Sequence, residues 1–91
     1  MTPSETTSVK IDLTTFFLSI ASAAYMGLGL GPRGGDENSE PNLELARQNI
    51  DLLELMSTKT KGNRSAEEER LLDGLLFELR LRYVEKTKTK S

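Results

Sequence analysis

The segment from Asn42 to Met56, NLELARQNIDLLELM, most constrains the fold of this chain, because apolar residues cover two sides of one predicted helix. One seam at helical spacing consists of Leu43, Ala46, Ile50 and Leu53, and a second seam beside it consists of Leu45, Leu52 and Met56. A single neighbouring helix can cover only one seam, so the segment predicts a helix with two partners. Asn49 lies between the seams, where its carboxamide either fixes the register of a helix pair or stays half exposed.

The length of the chain limits how much core it can build. Its 91 residues leave room for one domain at most. A core of this size seldom supplies more than about 3 to 5 kcal/mol of stability. Cysteine and histidine are both absent, which excludes disulfides and the usual zinc ligands. We therefore expect stability to come from self-association or from unusually good helix packing, in a protein suited to the reducing cytoplasm.

The charge pattern argues against a nucleic-acid partner. The net charge of -2 results from 12 basic and 14 acidic residues, a near-balance that is typical of solvated helix faces. Tryptophan is absent and aromatic residues make up only 5% of the chain, so no rings alternate with basic residues as platforms for bases. No cofactor-binding pattern is present either: GLGLGPRGG is rich in glycine, but no strand precedes it and no P-loop lysine follows.

A first helix is predicted from Leu13 to Leu28, after a polar lead-in over residues 1–11 that we expect to be disordered. Asp12 is its expected N-cap. The predicted packing face consists of Leu13, Phe16, Phe17, Ile20, Ala24 and Leu28. A row of small residues, Ser19, Ala23, Gly27 and Gly31, recurs every fourth position. Such a row favours close approach of another helix, and the alternative is a plain surface of small residues.

The same stretch invites a membrane interpretation, because no charged residue lies between Asp12 and Arg33. Its strongly apolar part, residues 16–30, would rise only about 22 Å as a helix, against a hydrocarbon core of about 30 Å. Serines and glycines dilute it further. Membrane contact through residues 13–30 is therefore an alternative that we do not favour, and a signal peptide fits less well because acidic residues precede the apolar run.

Two further helices are predicted, from Leu43 to Thr58 and from Ala66 to Lys86. Ser65 and Glu68 match a capping box at the start of the third helix. A broad apolar stripe on this helix consists of Leu71, Leu72, Leu75, Leu76, Leu79 and Tyr83, and a second stripe consists of Phe77, Leu81 and Val84. A connection of about six residues predicts that the second and third helices form an antiparallel hairpin.

The sequence thus predicts an all-α fold of three helices, with the apolar first helix packed on the hairpin or on a partner copy. Residues 12–86 form the single predicted domain, and residues 87–91 form a basic tail that we expect to fray. We expect the surplus apolar residues to be a surface for self-association or for a partner protein. The candidate residues are Ser19, Ala23, Gly27, Leu45, Asn49, Leu52, Met56, Phe77, Leu81 and Val84.

The predicted hairpin resembles a bacterial family known only as domain-of-unknown-function family 1844, through the residues NLELARQNIDLLELMSTKTKGNRSAEEERLLDGLLFELRLRYVE. The specific parts are LELARQ, the turn KTKGN and the closing segment from Leu79 to Val84. The apolar residues ahead fit the same pattern, so the resemblance spans about Asp12 to Glu85. It implies an all-helical bacterial protein without an assigned activity, and it brings no catalytic residues.

No residue pattern indicates catalysis. Without histidine or cysteine the candidates are carboxylates, lysines and hydroxyls, and neighbouring acids such as Asp51 with Glu54, or Glu69 with Asp73, are more simply surface residues than cation ligands. The favoured interpretation is a cytoplasmic, self-associating or protein-binding interaction module. A membrane-associated protein anchored by the first helix is the alternative. A small enzyme or ligand carrier is the remaining class, and no residue supports it specifically.

Overall fold

The computed structural model describes residues 12–35 and 40–90, and these residues form three helices that we number in chain order. Helix α1 spans Leu13–Gly27, α2 spans Leu43–Lys59 and α3 spans Ala66–Lys90. All three pack around one apolar core, and the described residues contain no strand, so the predicted all-α class is confirmed. The predicted lead-in over residues 1–11 lies outside the described residues, as do residues 36–39 and residue 91.

Each helix begins where a local capping signal predicts it. Asp12 and Asn42 each accept a hydrogen bond from the backbone N–H three residues later, at 3.0 and 3.1 Å. At the start of α3, the backbone N–H of Glu68 donates to Ser65 Oγ at 3.1 Å. The backbone N–H of Ser65 donates in return to Glu68 Oε1 at 2.8 Å. The predicted capping box is therefore confirmed.

Helix α1 ends in a left-handed turn at Gly29, whose φ is +83°. The backbone N–H of Leu30 donates to Tyr25 O at 3.0 Å, and that of Gly29 donates to Met26 O at the same distance. This pair of bonds is a Schellman motif, which satisfies the last carbonyls of the helix. It also turns Leu30 back into the core, where only 7% of its surface is exposed.

The backbones of α1 and α2 come close together at Gly27. A Cβ atom placed on Gly27 would lie 2.8 Å from the backbone nitrogen of Ala46, which is too close for any side chain. The backbone N–H of Asn42 also donates to Gly27 O at 2.7 Å. The close approach predicted from the row of small residues therefore occurs at Gly27, and it occurs within the chain.

The packing face of α1 differs from the prediction at one position. Phe16, which was placed on the packing face, is 44% exposed, so this part of the prediction is wrong. Tyr25 is buried instead, with 5% of its surface exposed. The reason is that α1 contacts both α2 and α3, which centres its buried arc on Phe17, Ala21, Ala24 and Leu28. Phe16 lies at the edge of that arc.

The contacts between α2 and α3 run in opposite order along the two helices. Glu54, late in α2, pairs with Arg80 at 2.9 Å, while Arg47, early in α2, lies 6.0 Å from the centre of the Tyr83 ring. Of the six residues in the predicted apolar stripe of α3, Leu72, Leu76 and Leu79 are buried and form the core row of this helix. The other three, Leu71, Leu75 and Tyr83, are half-buried and pack against the core.

The structure also settles the ends and the length of the helices. Helix α3 continues to Lys90 instead of ending at Lys86, and the first turn of this extension includes a hydrogen bond from Thr87 Oγ1 to Val84 O at 2.8 Å. The extension includes residues 87–90 of the tail that we expected to fray.

Among the described residues, no helix combines the length and the apolar character that crossing a bilayer requires.

Candidate interaction surface

Three large apolar side chains form an exposed row on the outward side of α3, which we call the α3 stripe: Phe77, Leu81 and Val84. They are 70%, 49% and 47% exposed. Their spacing of four and then three residues places them on one helix face, one turn apart. The core row of the same helix points away from this face, so neither α1 nor α2 covers the α3 stripe.

Helix α2 carries a second exposed group, the α2 patch, which consists of Leu45, Leu52 and Leu55. Leu45 and Leu52 were predicted as surface candidates and are 42% and 45% exposed. Leu55 is 49% exposed and was not predicted, because it belongs to neither apolar seam of α2. Met56 differs from its predicted seam partners, because it is half-buried and packs against the core.

Four other candidate residues have local roles or small surfaces. The Asn49 side chain donates from Nδ2 to Leu45 O at 3.0 Å, so its amide bonds the preceding turn of its own helix. Gly27 is buried at the crossing with α2 and contributes nothing to an exposed surface. Ser19 is exposed and Ala23 is half-buried. The structure therefore divides the predicted row of small residues between the surface and the interior.

The charge along α3 changes sign from one end to the other. Residues 66–73 contain four acidic side chains and one basic one, whereas residues 78–88 contain four basic and two acidic ones. Asp73 and Lys88 both lie exposed beside the α3 stripe, one turn before Phe77 and one turn after Val84. The stripe is thus flanked by an acidic end and a basic end.

Arg64 organises the connection between α2 and α3, and sequence analysis missed it. Its side chain is only 7% exposed and donates to Ser57 O at 2.7 Å and to Thr60 Oγ1 at 3.0 Å. It also binds both carboxylate oxygens of Glu69 at 3.2 Å. This hydrogen-bonded guanidinium lowers the pKa of the Glu69 carboxyl. The only signal in the sequence is an arginine between a Gly-Asn turn and a capping box.

Three of the four acids considered as cation ligands have arginine partners. Asp51 pairs with Arg47 at 3.4 Å, Glu54 pairs with Arg80, and Glu69 pairs with Arg64. Within the part of the chain that the structure describes, no three acidic side chains come together as a metal site would require.

A groove of about 430 Å³ lies between α1, the loop after it and α3. Tyr25, Arg33 and Leu75 are among the side chains that line it. Burial raises the pKa of the Tyr25 hydroxyl, which therefore stays protonated and can act only as a neutral hydrogen-bonding group near pH 7. Among the described residues that line the groove, no carboxylate accompanies the hydroxyl groups as a base.

Comparison with known proteins gives one match. A family model described as a domain of unknown function (DUF1844) matches residues 10–85. The matched range contains all of α1 and α2, and α3 as far as Glu85, so it includes both the core and the α3 stripe. No curated protein and no solved structure matches the chain.

Proposed function

The chain belongs to the family described as a domain of unknown function (DUF1844), and from that premise we propose that it is a cytoplasmic protein interaction module without catalysis, which binds through the α3 stripe. Binding covers Phe77, Leu81 and Val84 with another protein surface. The partner is either a second copy of the chain or a different protein.

One observation carries this proposal: Phe77 is 70% exposed in line with two further exposed apolar residues. Single exposed leucines are ordinary on protein surfaces and need no explanation. A row of large apolar side chains on one helix face is different, because it keeps a continuous apolar strip in water. Covering each side chain would contribute on the order of 1 to 2 kcal/mol, before the cost of association is subtracted.

The electrostatics of the described residues support binding rather than catalysis. Salt bridges hold three of the candidate acids in direct contact with arginines, so oxygens of these carboxylates are already engaged by partners within the chain. Around the α3 stripe, by contrast, the exposed charges form a rim beside an apolar centre. Protein interfaces commonly have this arrangement, with aromatic and apolar residues in the middle and polar residues at the edge.

The test compares two leucines that are equally exposed at 49%, Leu81 in the α3 stripe and Leu55 in the α2 patch. We expect the unaltered chain to form a particle heavier than 10.1 kDa in light scattering at micromolar concentration, or to capture a partner protein from cell extract. Leu81→Glu should abolish either association, because it places a charge in the covered strip. Leu55→Glu should leave the association intact, and circular dichroism should show the same helix content in both variants.

Two outcomes would contradict the proposal. In the first, the unaltered chain stays at 10.1 kDa and captures no protein that the Leu81→Glu variant fails to capture. In the second, Leu55→Glu weakens association as strongly as Leu81→Glu does, which would move the binding surface away from the α3 stripe.

A further inference from the structure

We propose that the partner that covers the α3 stripe is a second copy of this chain, with the two α3 helices packed antiparallel around a two-fold axis near Leu81. This inference rests on the interaction function proposed above and names its partner. It follows from the opposite charges of Asp73 and Lys88 at the two ends of the stripe and from the spacing of these residues.

The change of charge along α3 selects the antiparallel orientation. In an antiparallel pair centred on the stripe, Asp73 of each copy lies towards Lys88 of the other. A parallel pair in register would place Asp73 against Asp73 and Lys88 against Lys88, and contact between like charges is unfavourable. The helix dipoles of the two copies also oppose one another in the antiparallel arrangement, and this adds a small favourable contribution.

The spacing of residues defines the register. Asp73 precedes Phe77 by four residues, and Lys88 follows Val84 by four residues. When Phe77 faces Val84 of the second copy, Asp73 therefore faces Lys88 of the second copy. The two-fold axis repeats this ion pair at the other end of the interface, and it brings the two copies of Leu81 together at the centre.

The local shape of α3 is compatible with this contact. Gly74 is exposed one residue after Asp73, and a Cβ atom added there would meet no atom within 4 Å. This open position leaves room for the backbone of the second copy to approach. The segment from Asp73 to Lys88 contains four helical turns, about 23 Å long, which gives both copies a continuous line of contact.

A cross-linking experiment tests the orientation, because the chain contains no cysteine of its own. In the proposed register, the Phe77→Cys and Val84→Cys variants should form a disulfide with each other when mixed and oxidised. Each variant alone should form much less, since its introduced thiol then faces an unaltered side chain. Leu81→Cys should cross-link alone, and Leu55→Cys should stay uncross-linked. Facing positions meet the Cα separation of about 4.4 to 6.8 Å that a disulfide needs.

The outcomes separate the two proposals. If Phe77→Cys and Val84→Cys each cross-link alone and do not cross-link better when mixed, the copies pack parallel, and the antiparallel inference is overturned while self-association stands. If no variant cross-links although the unaltered chain is a dimer, the copies meet elsewhere. If the chain is monomeric but captures another protein through Leu81, the proposed function stands and the second copy is the wrong partner.

A charge exchange tests the register. Asp73→Lys or Lys88→Asp alone should weaken the dimer about two- to thirty-fold in Kd, because each converts two attractive pairs into two repulsive ones. The two substitutions in one chain should restore dimerisation, since the pairs are then reversed in sign. Glu44→Lys, which changes an exposed acid of α2 remote from the stripe in sequence, is the control and should have little effect. Equal Kd values for all four variants would overturn the proposed register.

Discussion

The two faces of α3 both present large apolar side chains and have opposite surroundings. On the inner face Leu72, Leu76 and Leu79 are at most 5% exposed, whereas on the outer face the α3 stripe is between 47% and 70% exposed. The residue types are large and apolar on both sides. The difference teaches that burial in this protein depends on where α1 and α2 lie: the inner face packs against them and holds the fold together, while neither helix covers the outer face.

The largest expected difference in the free energy of unfolding is between substitutions at two leucines of α3, Leu79 on the inner face and Leu81 on the outer face. Leu79→Ala should destabilise the chain by about 2 to 5 kcal/mol, because it leaves a cavity at a residue that is 0% exposed. Leu81→Ala should change stability by no more than about 0.5 kcal/mol at concentrations where the chain is monomeric. Urea denaturation followed by circular dichroism measures both. Similar losses for the two variants would mean that the outer face also supports the monomer, and the distinction between the faces would fail.

A second pair of substitutions compares a buried position with an exposed one at two glycines, Gly27 in α1 and Gly74 in α3. Gly27→Ala should cost about 1 to 3 kcal/mol, because the new methyl group would lie 2.8 Å from the backbone nitrogen of Ala46 and α1 would have to move away from α2. At concentrations where the chain is monomeric, Gly74→Ala should instead stabilise it by about 0.5 to 1 kcal/mol, since open space surrounds this position and alanine favours the helix. Thermal unfolding gives the sign of each change. A stabilising Gly27→Ala would contradict the close crossing of α1 and α2.

The smallest expected effect concerns the Glu69 carboxyl, whose pKa is lowered from 4.5 by Arg64. A carboxyl with a lowered pKa in the folded state stabilises the fold above its unfolded pKa and loses this contribution as the pH falls. Glu69→Gln should therefore be less stable than the unaltered chain at pH 7, and the difference should close as the pH falls below about 4. Glu78→Gln, which alters the pair with Arg82, is the matched control and should change the free energy of unfolding less, because Arg82 is 38% exposed whereas Arg64 is 7% exposed. A difference that persists unchanged at acid pH would exclude the ion pair as its cause.

The parts of the fold that depend on neighbouring residues in the sequence were predictable. Asp12, Asn42 and the capping box at Ser65 each satisfy donors within three residues, so their signal is local. The core row of α2 and the core row of α3 followed from helical spacing for the same reason. The end of α3 was less predictable, because nothing in its last turns marks where a helix of lysines and threonines stops.

The features of the fold that depend on residues distant in the sequence could not be predicted from local signals. The exposure of Phe16 and the burial of Tyr25 follow from the rotation of α1 between two helices, and spacing along α1 does not fix that rotation. Leu30 is buried because the Schellman turn redirects the loop after α1. Arg64 acts through partners on both sides of a turn, so its role becomes visible only once these partners are in place.

The candidate surface was predictable in part. The α3 stripe was identified because an apolar row beyond the core row is visible in the sequence, and the structure leaves it exposed. Met56 and Gly27 were placed in the same candidate set, yet one packs on the core and the other lies at a helix crossing. The spacing of apolar residues in the sequence shows how many apolar faces a helix has, but the packing of the neighbouring helices determines which of these faces remains exposed.

The hydrogen bond between Asn42 N and Gly27 O, at 2.7 Å, joins the beginning and the end of the α1–α2 connection. The connection is therefore a loop whose two ends are held together by this hydrogen bond. Lengthening such a loop lowers the stability of the fold only through the entropy of loop closure, by about 0.6 kcal/mol for each doubling of the loop length. A reporter peptide spliced between Gly35 and Glu40 would thus leave the junction in place, which gives the protein a site for labelling that alters neither terminus.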